Sequence, residues 1–201
     1  MHDQPFIMMH GDPAWAMPDG NTMMDFSVQM YEEPEVLNAE SQRRLDFYLN
    51  AARKLDDLGH LLDGFALCSD YCFNVNPFFN EEMFDELIVP YLKAVIAGYR
   101  QMGYCSIKHT DGNIMPILKQ MADCKPDAIH SLDPQGGVSI PAVRKVIGDD
   151  ICLIGNVNCG LLHTGTEEEC KADILRSLRQ GDEPTLAGIR KLRQLRPKLR
   201  Q

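Results

Sequence analysis

The sequence predicts an α/β fold, a parallel sheet of about five strands with helices outside it. Two observations carry this. The runs at 5–10, 64–69, 104–109, 127–132 and 151–157 are mostly apolar without alternation, the pattern of strands covered on both faces. The runs starting near 104, 127 and 151 recur at about the spacing of one βα unit, with helical segments between them.

Pro5 to His10 reads as a buried strand stopped by Gly11, Asp12 and Pro13. Residues 11–21, which hold the only tryptophan, Trp15, read as a loop over one end of the fold. A short helix is expected over Met23–Tyr31. Pro34 sits where a first helical turn tolerates proline. From there Leu37, Leu45, Tyr48, Leu49, Ala52, Leu55 and Leu58 make a helical stripe that Gly59 stops. The strand at 64–69 delivers Asp70 at its carboxyl end. Asn80 is a side-chain cap, and Glu81 and Glu82 set acids at the positive end of the helix dipole. Phe84, Leu87, Ile88, Tyr91, Val95 and Tyr99 mark one face of that helix, with a kink expected at Pro90. The strand from Tyr104 ends abruptly in His109, Thr110, Asp111, Gly112 and Asn113, where Asp, Gly and Asn suit a turn. A shorter helix over Ile114–Ala122, a strand over Asp127–Leu132, a helix over 139–147 and a strand over Ile151–Val157 follow. Thr166 caps a last helix reaching about Gln180.

The 201 residues suffice for one domain with a real core, and 44% hydrophobic with 24% charged residues is ordinary for a soluble globular chain. No apolar run is long enough to cross a bilayer, and Met1 is not followed by the pattern of a signal peptide. Seven scattered cysteines with no CxxC pair read as the reduced thiols of a cytoplasmic protein. A net charge of −9 argues against a nucleic-acid partner. That charge is uneven: residues 182–201 hold six Lys or Arg against two acids, so residues 1–181 carry −13. Leu186, Ile189, Leu192, Leu195 and Leu199 fall at near-helical spacing in this basic tail. A solvated helix or an unfolded end accounts for that better than a membrane-surface helix.

Right-handed crossovers put the carboxyl ends of parallel strands on one side. His10, Asp70, His109, Asp133, Asn156 and Asn158 are therefore expected on one face. An imidazole and a carboxylate two residues apart just past a strand, as in His109 and Asp111, can act as general acid or base, or hold a ligand. The bland alternative for Asp111 is an Asx turn, and for Asp70 a loop cap. Asp70, His109 and Asp111 are the catalytic candidates. His10, Asp133, Gln135, Asn156 and Asn158 are the substrate-binding ones, the two asparagines being about equally good as turn formers. Cys159 could join His109 as a soft zinc ligand, although a buried structural cysteine is the default. His130, inside a strand, reads as core, and His60 and His163 as surface.

From about Asp63 to Gln180 the chain resembles the uroporphyrinogen decarboxylase superfamily. The resemblance rests on SDY at 69–71, NEEMFDELIVPYLK at 80–93, KHTDGNI at 108–114, DPQGG at 133–137, IGNVNC at 154–159 and HTGTEEE at 163–169, in fitting order and spacing. Residues 5–60 fit more loosely as the preceding βα unit. The resemblance implies a (β/α)8 TIM barrel of which this chain supplies about five strands, the third to the seventh. Residues 1–181 would be an incomplete barrel domain and 182–201 a tail outside it. It implies a decarboxylase acting on a tetrapyrrole carboxylate, with Asp70 facing pyrrole nitrogens, or a methyltransferase working with a methyl donor and a corrinoid partner protein. The thiol-activating methyltransferases resemble His-x-Cys at the fifth strand with a further Cys near the eighth. Here the pair is His109 and Asp111, and less than one zinc per chain is expected.

The alternatives are a truncated non-catalytic fragment, or a module that binds a ligand without turnover. Five strands cannot close a barrel, so self-association through an open apolar face is expected.

Overall fold

The computed structural model describes residues 5–181; residues 1–4 and the predicted basic tail lie outside the described residues. The apolar runs satisfy their backbone groups by pairing with one another. Strands β1 (Met8–His10), β2 (Gly64–Leu67), β3 (Cys105–Thr110), β4 (Ala128–Ser131) and β5 (Cys152–Gly155) form one sheet in sequential order. Every neighbouring pair is parallel. Helices α1 (Met23–Glu32) and α2 (Pro34–Asp57) join β1 to β2, and α3 (Glu81–Leu87) and α4 (Val89–Gln101) join β2 to β3. Then α5 (Leu118–Asp123) and α6 (Ile140–Ile147) make the next two crossovers, and α7 (Cys159–Thr164) and α8 (Glu167–Gln180) follow β5. Doubly wound sheets reverse their strand order at a switch point. Sequential order throughout is instead the arc of a (β/α)8 barrel.

Register assigns the two faces. Leu67, Lys108, Ile129 and Leu153 are partners across β2 to β5, and all four are buried. One residue further along, His109, His130 and Ile154 form a row on the opposite, inner face and are only partly covered. The outer face feeds two apolar clusters. One gathers Tyr71, Phe84, Ile117, Ile129 and Leu153, and the other Leu45, Phe65, Leu92, Tyr99 and Tyr104. Phe65 stacks on Tyr99 with ring centroids 3.9 Å apart. Burying a ring of this size contributes about 1.5–3 kcal/mol.

Several expectations need correction. The single kinked helix is two helices meeting at Ile88, with Pro90 in the first turn of α4, where a missing N–H breaks no intrahelical bond. The strand expected to reach Val157 stops at Gly155, because Gly155 and Asn156 take φ of 108° and 70°, outside strand geometry. The first strand pairs only over Met8–His10. Helix α7 was not expected; Asn158 starts it by accepting from Gly160 N and Leu161 N. His60 is not a free surface residue, since it stacks on Tyr104 at 4.3 Å between centroids and bonds Asp56.

All seven cysteines are free thiols. No described helix is long and apolar enough to cross a membrane. Among the described residues β1 and β5 are the sheet edges, and Ala66, Ile107 and Ile154 line a partly covered inner face. The 201-residue chain is therefore expected to run above its monomer mass of 22.7 kDa in light-scattering chromatography and to bind a hydrophobic dye. A monodisperse monomer that binds no dye would mean that this face is covered.

Candidate functional site

Alternation along β3 sends Lys108 and Thr110 to the helix-covered face and Ile107 and His109 inward. Thr110 Oγ1 accepts from Tyr71 N at 2.9 Å and ties the loop after β2 to the end of β3. Asp70 is thereby brought beside His109, with Oδ1 3.5 Å from His109 Nε2. The same oxygen accepts from Asp111 N at 3.2 Å. Asp111 Oδ2 lies 3.9 Å from His109 Nε2, and its Oδ1 accepts from Ser131 Oγ. The metal-ligand-type atoms of Asp70, His109 and Asp111 all fall within 4.8 Å of one another.

The other nitrogen of His109 is also engaged. Its Nδ1 lies 2.8 Å from Nδ1 of His130, its register partner on β4. Two ring nitrogens at that distance share one proton. Burial, and then the neighbouring His109, push the His130 pKa below the usual histidine range against a smaller opposing pull from Asp111. The contact holds the His109 ring with Nε2 turned to the two carboxylates.

Its place inside a strand predicts a core position for His130, yet its ring sits on the inner face against His109. A signal was present: His130, Ser131 and Asp133 at the end of β4 echo His109, Thr110 and Asp111 at the end of β3.

The remaining candidates fall elsewhere. His10 ends the edge strand β1 in the row of Ala66 and Ile107, one layer below His109. Asp133 caps the turn after β4, its Oδ1 accepting from Gln135 N. Gln135 is exposed, with its amide nitrogen against Gly160. Asn156 is buried: its Nδ2 donates to Leu132 O and Val138 O, and its Oδ1 accepts from Arg176 Nη1. Its amide is committed to holding α8 on the sheet. Asn158 Oδ1 is committed to the α7 cap. Cys159 is exposed in the first turn of α7 and is not among the residues grouped with His109. Asp70, Asp133 and Asn158 nevertheless follow β2, β4 and β5, so they share the carboxyl side of the sheet with His109.

The sequence matches the uroporphyrinogen decarboxylase (URO-D) family over residues 17–186. The chain belongs to the URO-D family. A uroporphyrinogen decarboxylase of Chlorobium luteolum is 33% identical over 105 residues, which are 50% of this chain and 28% of that protein. Among solved structures, a methyltransferase from Methanosarcina mazei superposes with a TM-score of 0.65 at 20% identity. That match covers 80% of this chain and 45% of the methyltransferase. The URO-D chain thus spans less than half the length of either relative, and its fold is that of the methyltransferase over the shared part.

Proposed function

We propose that this URO-D-family chain carries a cation-assisted site for methyl transfer, with a small-molecule methyl donor and a corrinoid protein as partner. One observation supports this best. Asp70 Oδ1 and Asp111 Oδ2 stand 3.5 Å and 3.9 Å from His109 Nε2. Those distances are too long for hydrogen bonds. They are close to the ~3.4 Å that separates ligand atoms set about 2.1 Å from a tetrahedral zinc-like ion. The expectation of little zinc rests on the lack of a His-x-Cys pair; in place of sulfur, Asp70 supplies a third donor, an oxygen. One nitrogen and two carboxylate oxygens make a borderline-to-hard set suited to a divalent ion.

When bound, such an ion supplies Lewis acidity and lowers the pKa of a coordinated thiol or water. The chain's own groups do the rest. His130 holds the His109 ring so that Nε2 faces the site. Ser131 orients Asp111, and Asp111 N orients Asp70. The second oxygen of Asp70 can take the proton that a nucleophile gives up. Asp70, Asp111 and Asp133 make this rim acidic, and the nearby Lys108 is turned outward and paired with Asp12. A polycarboxylate tetrapyrrole finds no cationic grip among these groups.

A second reading, decarboxylation with Asp70 accepting ligand N–H groups, is favoured by the Chlorobium relative's name. Titrating the chelator-stripped chain with Co²⁺ separates the two. Methyl transfer predicts one ion per chain with a visible spectrum of N/O ligation. No binding at millimolar Co²⁺ would leave decarboxylation as the better reading.

A further inference from the structure

Lys108 is fully buried in a strand whose other outward groups are uncharged. A buried charge must be paired and hydrogen-bonded, and the pairing here is elaborate. Nζ donates to Asp12 Oδ2 and to Ser69 O, both at 2.8 Å, and lies 3.9 Å from the centre of the Tyr71 ring. Asp12 Oδ2 also accepts from Ser69 N at 3.0 Å, and its Oδ1 accepts from Ala14 N at 3.0 Å. Ser69 Oγ donates to Ala14 O at 2.9 Å. Every polar atom of Ser69 is therefore held from β3 or from the loop after β1. The next residue is Asp70, whose carbonyl accepts from Met17 N at 2.6 Å.

On β3 the residue after Lys108 is His109. One strand thus points a clamp outward at the backbone that carries Asp70 and, one residue later, points an imidazole inward at the Asp70 side chain. We infer that the Lys108–Asp12 pair is a positioning device that fixes the separation of Asp70 from His109. Lys108 touches none of the three candidate ligands with its ammonium group; it acts through the Ser69–Asp70 backbone. The inference rests on the reading of Asp70, His109 and Asp111 as a cation site.

The test uses the 201-residue chain with Lys108→Met, with Asp12→Asn, and with both. Removing one partner strands a buried charge, whereas the double variant removes both and keeps the fold measurable. Three quantities are read: the urea midpoint, Co²⁺ affinity with its visible spectrum, and amide hydrogen exchange at Tyr71 and Asp111. In folded double variant, Co²⁺ affinity should fall about 10- to 100-fold, the usual effect of losing a group that supports a metal ligand. The spectrum should shift, and Tyr71 and Asp111 amides should exchange faster. Wild-type affinity and exchange in that variant would overturn the positioning role and leave a purely structural ion pair. If the unaltered chain binds no Co²⁺, the cation reading fails. The exchange measurement then still decides the clamp, faster exchange supporting it and unchanged exchange refuting it.

Discussion

His109→Ala is expected to weaken divalent-ion binding by roughly 100-fold or more while moving the urea midpoint little. The size follows from sharing the ~10–16 kcal/mol of a four-ligand zinc site among its donors. That gives about 3 kcal/mol for one ligand, or roughly two factors of ten. The small stability effect follows from location. The His109 side chain is 24% exposed on the inner face, and its close partners are polar groups, Asp70, Asp111 and His130. Losing it opens no cavity in either apolar cluster, neither of which includes it. His130→Ala should weaken binding less, about 10- to 100-fold, because it removes the group that orients the candidate ligand His109 and keeps His109 itself. Calorimetric titration with Zn²⁺ and equilibrium unfolding check both variants. Unchanged affinity in His109→Ala would remove His109 from the mechanism.

The parts of this molecule that were legible in the sequence are those with local causes. Asn80 followed by two glutamates starts α3, and its side chain accepts from Met83 N. Thr166 and Glu169 form a complete capping box at α8. The strand end His109–Asn113 reads as a polar turn after an apolar run, and the structure puts its histidine and aspartate beside Asp70. The parts that were not legible depend on register. Whether His130 faces the core or the mouth depends on which residue of β3 it opposes, and one step of slip would reverse it. Asn156 and Asn158 look like ligands because amides on a strand end are versatile. Only the fold shows that Arg176, twenty residues on, and the α7 backbone have already claimed them. Lys108 is legible in the sequence as well. A lysine between Ile107 and His109 in a buried strand requires a carboxylate from elsewhere in the chain, and Asp12, just after the first strand, is placed to supply it.

Gly112→Ala is expected to destabilise the chain by about 3–6 kcal/mol and to disable the candidate site at the same time, whereas Gly137→Ala should cost only about 1–2 kcal/mol. Both glycines have φ of 77°, so both substitutions meet the same left-handed backbone penalty of about 1–2 kcal/mol. They differ in what a Cβ would touch. At Gly137 it meets nothing within 4 Å. At Gly112 it would lie 2.3 Å from Phe73 O and 2.7 Å from Phe73 C, which are backbone atoms with no rotamer to retreat into. Relief requires the loop after β2 to move off the turn. That breaks the bond from Asn113 N to Phe73 O, 3.1 Å, and threatens the one from Asn113 Nδ2 to Val75 O, 2.8 Å. Overpacking of this kind adds about 1–3 kcal/mol, and a lost hydrogen bond about 1 kcal/mol. The same movement shifts Asp111, which precedes Gly112, and Asp70, which lies on the displaced loop, so two of the three candidate ligands lose their places. Urea unfolding of the two variants, with Co²⁺ titration of each, measures the difference directly. Equal stability losses, or wild-type Co²⁺ binding in Gly112→Ala, would mean that the loop yields freely and that the turn does not brace the site.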